Sequence, residues 1–279
     1  MNTMMNKNLL ISSGDIKVDG LSIHYVRAGK GEPVLLLHDW PTSSYLWRNI
    51  IEPLARTRLV IAPDLPGFGS SDKPPEAPYS LDYQVKMLDD FLRNMNVGRI
   101  DLVVHDLGGP IGLLWALRNP SKVNRLVILN TFVHPQLSFL EKLVFLTVKI
   151  PVIRDWVASP AGISVTMKWG VENKKKMTSE VISAYQAPFT TPRTRQVLIK
   201  TLAAIDVNEL EEIMQKLPEM DVPIRIIFGE KDMLLAKEMR RLAGELPKAQ
   251  VTSIPDCGHF LQEDIPGRLS ELISEFLNK

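Results

Sequence analysis

The chain has 279 residues, of which 45% are hydrophobic and 23% charged, enough to bury one large core with room for an insertion. Its 33 Lys and Arg stand against 32 Asp and Glu, a net charge of +1 that argues against a polyanionic partner, whether nucleic acid or an anionic membrane. The single cysteine, Cys257, excludes an internal disulfide framework and a cysteine cluster for zinc.

The stretch from Met1 to Gly14 lacks the long apolar centre of a secretory leader. The longest apolar run, Leu143 to Ile153, is broken by Lys149 and Pro151 and is too short to span a bilayer. The expectation is a cytoplasmic protein without membrane insertion, a monomer or homodimer.

In chain order, Leu21 to Arg27, Val34 to Leu37 and Leu59 to Ile61 are short Val-, Leu- and Ile-rich runs that predict strands. Leu81 to Met95 has helical period; Ile100 to Val104 predicts a strand, Ile111 to Arg118 a helix, and Arg125 to Leu129 a further strand. From Thr131 to about Val207 the strand signal disappears into Met-, aromatic- and Lys-rich helical text broken by prolines at 135, 151, 160, 188 and 192. Strand text returns at Ile224 to Phe228 and Gln250 to Ile254.

This alternation predicts an α/β fold, a mostly parallel twisted sheet with helices on both faces and an inserted helical cap. Residues 1–131 and 208–279 would form the core and residues 132–207 the cap. Ligands of such sheets sit at the carboxyl ends of the strands.

Four strand ends carry candidate chemistry. After Val34 to Leu37 comes His38-Asp39-Trp40-Pro41, a loop whose backbone N–H groups can meet a developing oxyanion; the plain alternative is a Pro-containing turn. After Ile100 to Val104 comes His105-Asp106-Leu107-Gly108-Gly109, a strand-to-helix corner with small flanking residues. Such a corner displays its side chain, and an Asp there can attack saturated carbon, although Asp is also an ordinary helix cap.

Gly229-Glu-Lys-Asp232 and Asp256-Cys-Gly-His259 follow the last two strands. Nucleophile, acid, histidine is the chain order of nucleophile-elbow hydrolases. It makes Asp106 the nucleophile, His259 the base and Asp232 the acid that holds its ring, with Glu230 as the second choice of acid. Cys257 has neither an elbow nor a helix N-terminus of its own and reads as a small buried residue.

The segments Pro41-Thr-Ser-Ser-Tyr-Leu-Trp-Arg48, Asp64-Leu-Pro-Gly-Phe-Gly-Ser-Ser-Asp72, Val103 to Pro110, Ala184-Tyr-Gln-Ala-Pro-Phe189 and Gly258-His-Phe-Leu-Gln-Glu-Asp264 carry a resemblance that extends over nearly the whole chain. The chain resembles the α/β-hydrolase superfamily, in the branch of haloalkane dehalogenases and epoxide hydrolases with an Asp nucleophile. The resemblance implies alkylation of Asp106 by a small apolar substrate, then hydrolysis of that ester by water activated at His259, with no metal or organic cofactor. It also implies an oxyanion hole formed by the backbone N–H groups of Trp40 and Leu107.

The same resemblance exposes departures. Dehalogenases of this kind carry Asn or Glu at the position of Trp40 and Trp at that of Leu107, so both usual halide donors are missing. The indoles of Trp40, Trp156 and Trp169 are the candidate replacements; for an epoxide the candidate donors are Tyr185 and His134. Asn130 stands where one branch has its acid, which leaves that role to Asp232. Asp39 replaces the usual small residue of its loop. Dehalogenation to halide and alcohol, epoxide opening to a vicinal diol, and a catalytically retired ligand-binding homologue all remain open.

Overall fold

A computed structural model of the protein describes residues 10–279; Met1 to Leu9, part of the stretch read above for a leader, lie outside the described residues. The first half of the chain forms β1 (Ile11–Val18), β2 (Leu21–Ala28), β3 (Pro33–Leu37), α1 (Arg48–Ala55), β4 (Leu59–Pro63), α2 (Leu81–Asn94), β5 (Ile100–His105), α3 (Gly108–Arg118) and β6 (Val123–Leu129). Six helices follow with no strand among them: α4 (Phe139–Thr147), α5 (Pro151–Val157), α6 (Pro160–Trp169), α7 (Ser179–Gln186), α8 (Pro192–Ala203) and α9 (Leu210–Lys216). The chain then returns through β7 (Ile224–Gly229), α10 (Ala236–Glu245), β8 (Gln250–Ile254), α11 (Leu261–Asp264) and α12 (Pro266–Leu277).

The strands make one sheet in the order β1-β2-β4-β3-β5-β6-β7-β8, in which β2 pairs antiparallel with both of its neighbours and every other pair is parallel. The expected α/β architecture is therefore the observed one. Central strands β5 and β7 are buried along their whole length, as unbroken apolar runs covered on both faces should be. One core cluster packs α2 and α3 against Leu35, Leu102, Val104 and Leu126; the other packs α1 and α12 against Val34, Leu36, Val103 and Val127. No helix among the described residues is long and apolar enough to cross a membrane.

Strand β1 is an element the sequence reading missed. Its Ser- and Asp-containing text gives little hydrophobic alternation, and it is held by pairing with β2 from Ile11↔Ala28 to Val18↔Leu21. The turn between them is Asp19-Gly20, both with positive φ (49° and 82°), the hairpin dipeptide that would have located it.

The corner between β5 and α3 depends on having no side chain at position 108. A Cβ on Gly108 would stand 2.7 Å from the Leu37 carbonyl oxygen and 2.8 Å from that of His38, so the elbow rests directly on the end of β3. Gly108→Ala is expected to cost about 1–3 kcal/mol as an overpacking change with backbone on the far side. Urea unfolding checks this; an unchanged midpoint would contradict the close approach.

Candidate active site

Asp106 sits at the corner with φ +42°, a left-handed conformation uncommon for a residue with a Cβ, as a nucleophile elbow demands. The corner is tied down around it. The Asp106 N–H donates to the Asn130 carbonyl (2.9 Å), and its own carbonyl accepts from the Thr131 hydroxyl (2.7 Å) and the Gly109 N–H (2.8 Å). These bonds spend the backbone polar groups and leave the side chain to face a cavity of about 250 Å³.

That cavity is walled by the core at Trp40, Asp106, Leu234, Leu235, His259 and Phe260 and by the helical segment at Phe132, Val144, Phe145, Val165, Trp169 and Leu202. Its walls are mainly apolar. Glu141 is a buried acid of the lining, and its side chain closes the capping box of α4 by accepting from the Ser138 N–H (2.6 Å).

His259 follows β8 and is positioned from both sides. Its backbone N–H donates to the Gly170 carbonyl (2.7 Å), which also accepts from Phe260 N–H (3.1 Å), so the end of α6 holds the loop that carries the imidazole. Asp264 binds the same junction by accepting from the N–H groups of Gly258, Glu172 and Asn173 at 2.9–3.1 Å. In the imidazole, Nδ1 lies 2.8 Å from Asp232 Oδ2 and Nε2 lies 3.2 Å from Asp39 Oδ2.

Asp232 is almost completely buried and fully partnered. Oδ1 accepts from the N–H groups of Leu234 (2.9 Å) and Leu235 (3.0 Å); Oδ2 takes His259 and the Asn130 amide. Burial pushes its pKa up, but the His259 imidazolium and these donors outweigh it and hold the carboxyl below the ordinary range. Burial opposes charging of His259, yet its two carboxylate neighbours prevail and raise its pKa well above the usual imidazole value.

Asn130, read from sequence only as a lost acid, is a positioning residue. It donates to Asp232 while its oxygen accepts from Gly229 N–H (3.0 Å), which fixes the acid against β7. Glu230, the second choice of acid, is exposed and 4.0 Å from Arg240, away from the imidazole. Cys257 is buried, and burial drives its thiol pKa far up.

The structure thus brings Asp106, His259 and Asp232 together, places Trp40 and Trp169 in the same cavity wall, and sets Trp156, Tyr185 and His134 apart. The Trp40 indole N–H donates to the Leu198 carbonyl (3.1 Å), joining the β3 loop to α8. Trp169 lines the cavity with half its surface exposed; Trp156 is equally exposed on α5 and is not part of the wall. Tyr185 is buried with its hydroxyl donating to Glu263 (2.5 Å), and His134 is held between Glu238 (2.5 Å) and Glu245 (2.8 Å). Both therefore lie outside the cavity wall, with their polar atoms engaged elsewhere.

The loop offered for the oxyanion is rigid. His38 donates from Nδ1 to the Asp39 carbonyl (2.8 Å) and accepts at Nε2 from the Leu65 N–H (3.0 Å), which fixes a neutral tautomer consistent with its lowered pKa in a buried site. Thr42 donates to the same carbonyl from N–H and hydroxyl, both at 2.9 Å. The Leu107 N–H lies against the Asp106 carboxyl.

Comparison with known proteins agrees with this geometry. A family described as alpha/beta hydrolase fold matches residues 32–157. The chain is 33% identical to a cis-3-alkyl-4-alkyloxetan-2-one decarboxylase of Xanthomonas campestris pv. campestris, with 93% of each chain covered. It is also 33% identical to a haloalkane dehalogenase of Mycolicibacterium paratuberculosis, covering 91% of this chain and 86% of that one. The crystal structure of the haloalkane dehalogenase DatA from Agrobacterium tumefaciens C58 superposes with a TM-score of 0.85 at 26% identity over 96% of both chains. With the elbow, the sheet order and relatives of this kind over nearly its full length, the chain belongs to the α/β-hydrolase superfamily, in the branch that includes haloalkane dehalogenases.

Proposed function

We propose that the chain is a cofactor-free enzyme in which the Asp106 carboxylate attacks a saturated carbon of a small apolar substrate, and water activated at His259 then cleaves the resulting ester. The observation that carries this reading is a carboxyl group at a strained elbow, opening into an apolar cavity beside an imidazole held by a buried acid. Backbone N–H groups of Trp40 and Leu107 would receive the oxyanion of the second step. Acting on a haloalkane, the products are halide and alcohol.

A second reading is favoured by the donors at the cavity. The Trp40 indole is spent on Leu198, position 107 is Leu, and Trp169 is the one indole left in the wall among the described residues. A halide leaving into such a space lacks its paired N–H donors, each worth roughly 3 kcal/mol to a developing charge. A strained oxetan-2-one, the substrate class in the name of the Xanthomonas relative, asks for less. Attack by Asp106 at the saturated ring carbon, C4, breaks its bond to the ring oxygen and opens the ring to a carboxylate that stays attached through C3. Loss of CO2 then forms the alkene as the carbon–oxygen bond to Asp106 breaks, and no water is consumed. Epoxide opening is less favoured, since the Tyr185 hydroxyl serves Glu263.

The test uses 1-bromohexane, styrene oxide and a cis-3,4-dialkyloxetan-2-one with the purified protein, read as bromide, diol, and alkene with CO2. His259→Gln incubated with 1-bromohexane is expected to retain a stable hexyl mass on Asp106. Alkene without bromide selects the second reading. No product and no adduct with any of the three would leave a ligand-binding homologue.

A further inference from the structure

Asp39 is the residue of the centre that neither displacement requires. Its side chain is completely buried, and three hydrogen bonds to its carbonyl, from His38 and Thr42, keep the loop from swinging it away. Oδ2 stands 3.2 Å from His259 Nε2 and 3.6 Å from His105 Nε2. The carboxyl is also within hydrogen-bonding reach of the Asp106 carboxyl. Asp39 thus occupies the side of the imidazole from which a base would act on water.

Two adjacent carboxyl groups in a dry site cannot both be ionised, so one proton is shared between them. We propose that Asp39 and Asp106 are a proton-sharing carboxylate pair, and that Asp39 is a catalytic residue coupling the two half-reactions. This rests on Asp106 being the nucleophile.

The distribution of charge follows from the neighbours. Around His259 stand Asp232 from the loop after β7, Asp39 from the loop after β3, and His105 and Asp106 from the end of β5. His105 is driven down to about 3, first by burial and then by the charge on His259, and stays neutral. Burial pushes Asp39 up, but its bonds to Asp106 and His259 hold it below the ordinary range, so it is the anion. Asp106 is raised well above that range, by burial first and the Asp39 charge second, and holds the proton.

On alkylation the Asp106 oxygen bonds to the substrate carbon, the electron pair of the broken bond leaves with the leaving group, and the proton of Asp106 passes to Asp39. Asp39 is then neutral, and His259 loses one of the two anions that kept it charged. The imidazolium gives its Nε2 proton to solvent and becomes the base that water requires. After hydrolysis the alcohol takes that water-derived proton from His259, Asp106 re-emerges as the acid, and Asp39 returns its own proton to His259. The net reaction consumes one water and releases one proton with the leaving group.

The experiment has an arm that needs no substrate. Imidazole titration of His259 by NMR is compared in the protein as it stands, in Asp39→Asn and in Asp39→Gly, each shown folded by thermal melting. Loss of the Asp39 charge is expected to lower the His259 midpoint by about one to three pH units. In the second arm, alkylation of Asp106 by 1-bromohexane is followed by intact mass against pH in His259→Gln and in His259→Gln combined with Asp39→Asn, where the ester is not hydrolysed. The His259→Gln rate is expected to rise with pH to an inflection well above an ordinary carboxylate value of about 4, and the added Asp39→Asn to move that inflection down toward it. A His259 midpoint unmoved in both variants overturns the pair. Adduct absent from both His259→Gln proteins overturns Asp106 as nucleophile and the relay with it, whatever the midpoint does.

Discussion

Replacing Asp106 by Ala is expected to abolish turnover, by about four orders of magnitude or more, while the protein still folds. The cavity offers no substitute, because its other acid, Glu141, is committed to the cap of α4 and is not held next to His259. The backbone of the elbow is fixed by Asn130, Thr131 and Gly109 through main-chain atoms of residue 106, and those bonds survive loss of the side chain. Product formation measured alongside a thermal melt decides the matter. Surviving turnover removes Asp106 from the chemistry; an unfolded variant removes the idea of a displayed acid.

The companion Asp106→Asn has a defined sign in stability, and Asn tolerates the φ of +42° that Ala resists. The folded pKa of Asp106 is raised, so above the ordinary value of 3.8 the folded chain retains a proton that the unfolded chain has released. Stability from this group therefore falls as pH climbs from 3.8 toward the folded value, and Asn removes that loss. The variant should gain on the native protein as pH rises through that window. His259 acts in the same direction: its folded pKa is raised, so its stabilisation is complete below 6.5 and disappears as pH rises through the folded value. A His259→Gln melt series separates the two contributions.

The parts of this molecule legible from sequence are those that local text determines. A Val- and Leu-rich run ending in Gly-Gly gave β5 and its corner, and strand ends in the right order located Asp232 and His259. Of the side chains nominated for the pocket, Trp40 and Trp169 line it, whereas Tyr185 and His134 were misread because their roles are set by partners far along the chain. Tyr185 meets Glu263 and His134 meets Glu238, 78 and 104 residues away, and nothing local signals an acid waiting for either. Asp39 drew notice as the wrong size for its loop, but its meaning needs three strand ends brought together. Asn130 was noticed for a charge it lacks, while its amide turned out to orient Asp232.

Arg48→Ala is expected to destabilise the fold by about 3 kcal/mol, the low end for breaking a buried ion pair, since the Arg48 side chain is 23% exposed and Glu263 only 3%. The guanidinium meets Glu263 with both nitrogens, at 2.6 and 2.8 Å, and lies 4.2 Å over the Tyr45 ring. Glu263 also accepts the hydroxyl of Tyr185 on α7, whose ring packs edge-on against Tyr45. The pair therefore ties the helical segment over the cavity to the core, four residues from His259. Removing Arg48 leaves a carboxylate buried with one hydroxyl for company. Arg48→Lys should recover little, because a single ammonium cannot reproduce the two-pronged contact or lie flat on Tyr45. The contrast is Arg118, which pairs with Asp82 and Glu212 in solvent and should cost at most about 1 kcal/mol when replaced by Ala. Urea unfolding of the three variants ranks them, and a double change of Arg48→Met with Glu263→Gln should cost less than the sum of its parts. Equal losses for Arg48→Ala and Arg118→Ala would mean that water reaches Glu263, and the tie between the helical segment and the core would then have to rest on Asp264 and its three backbone donors.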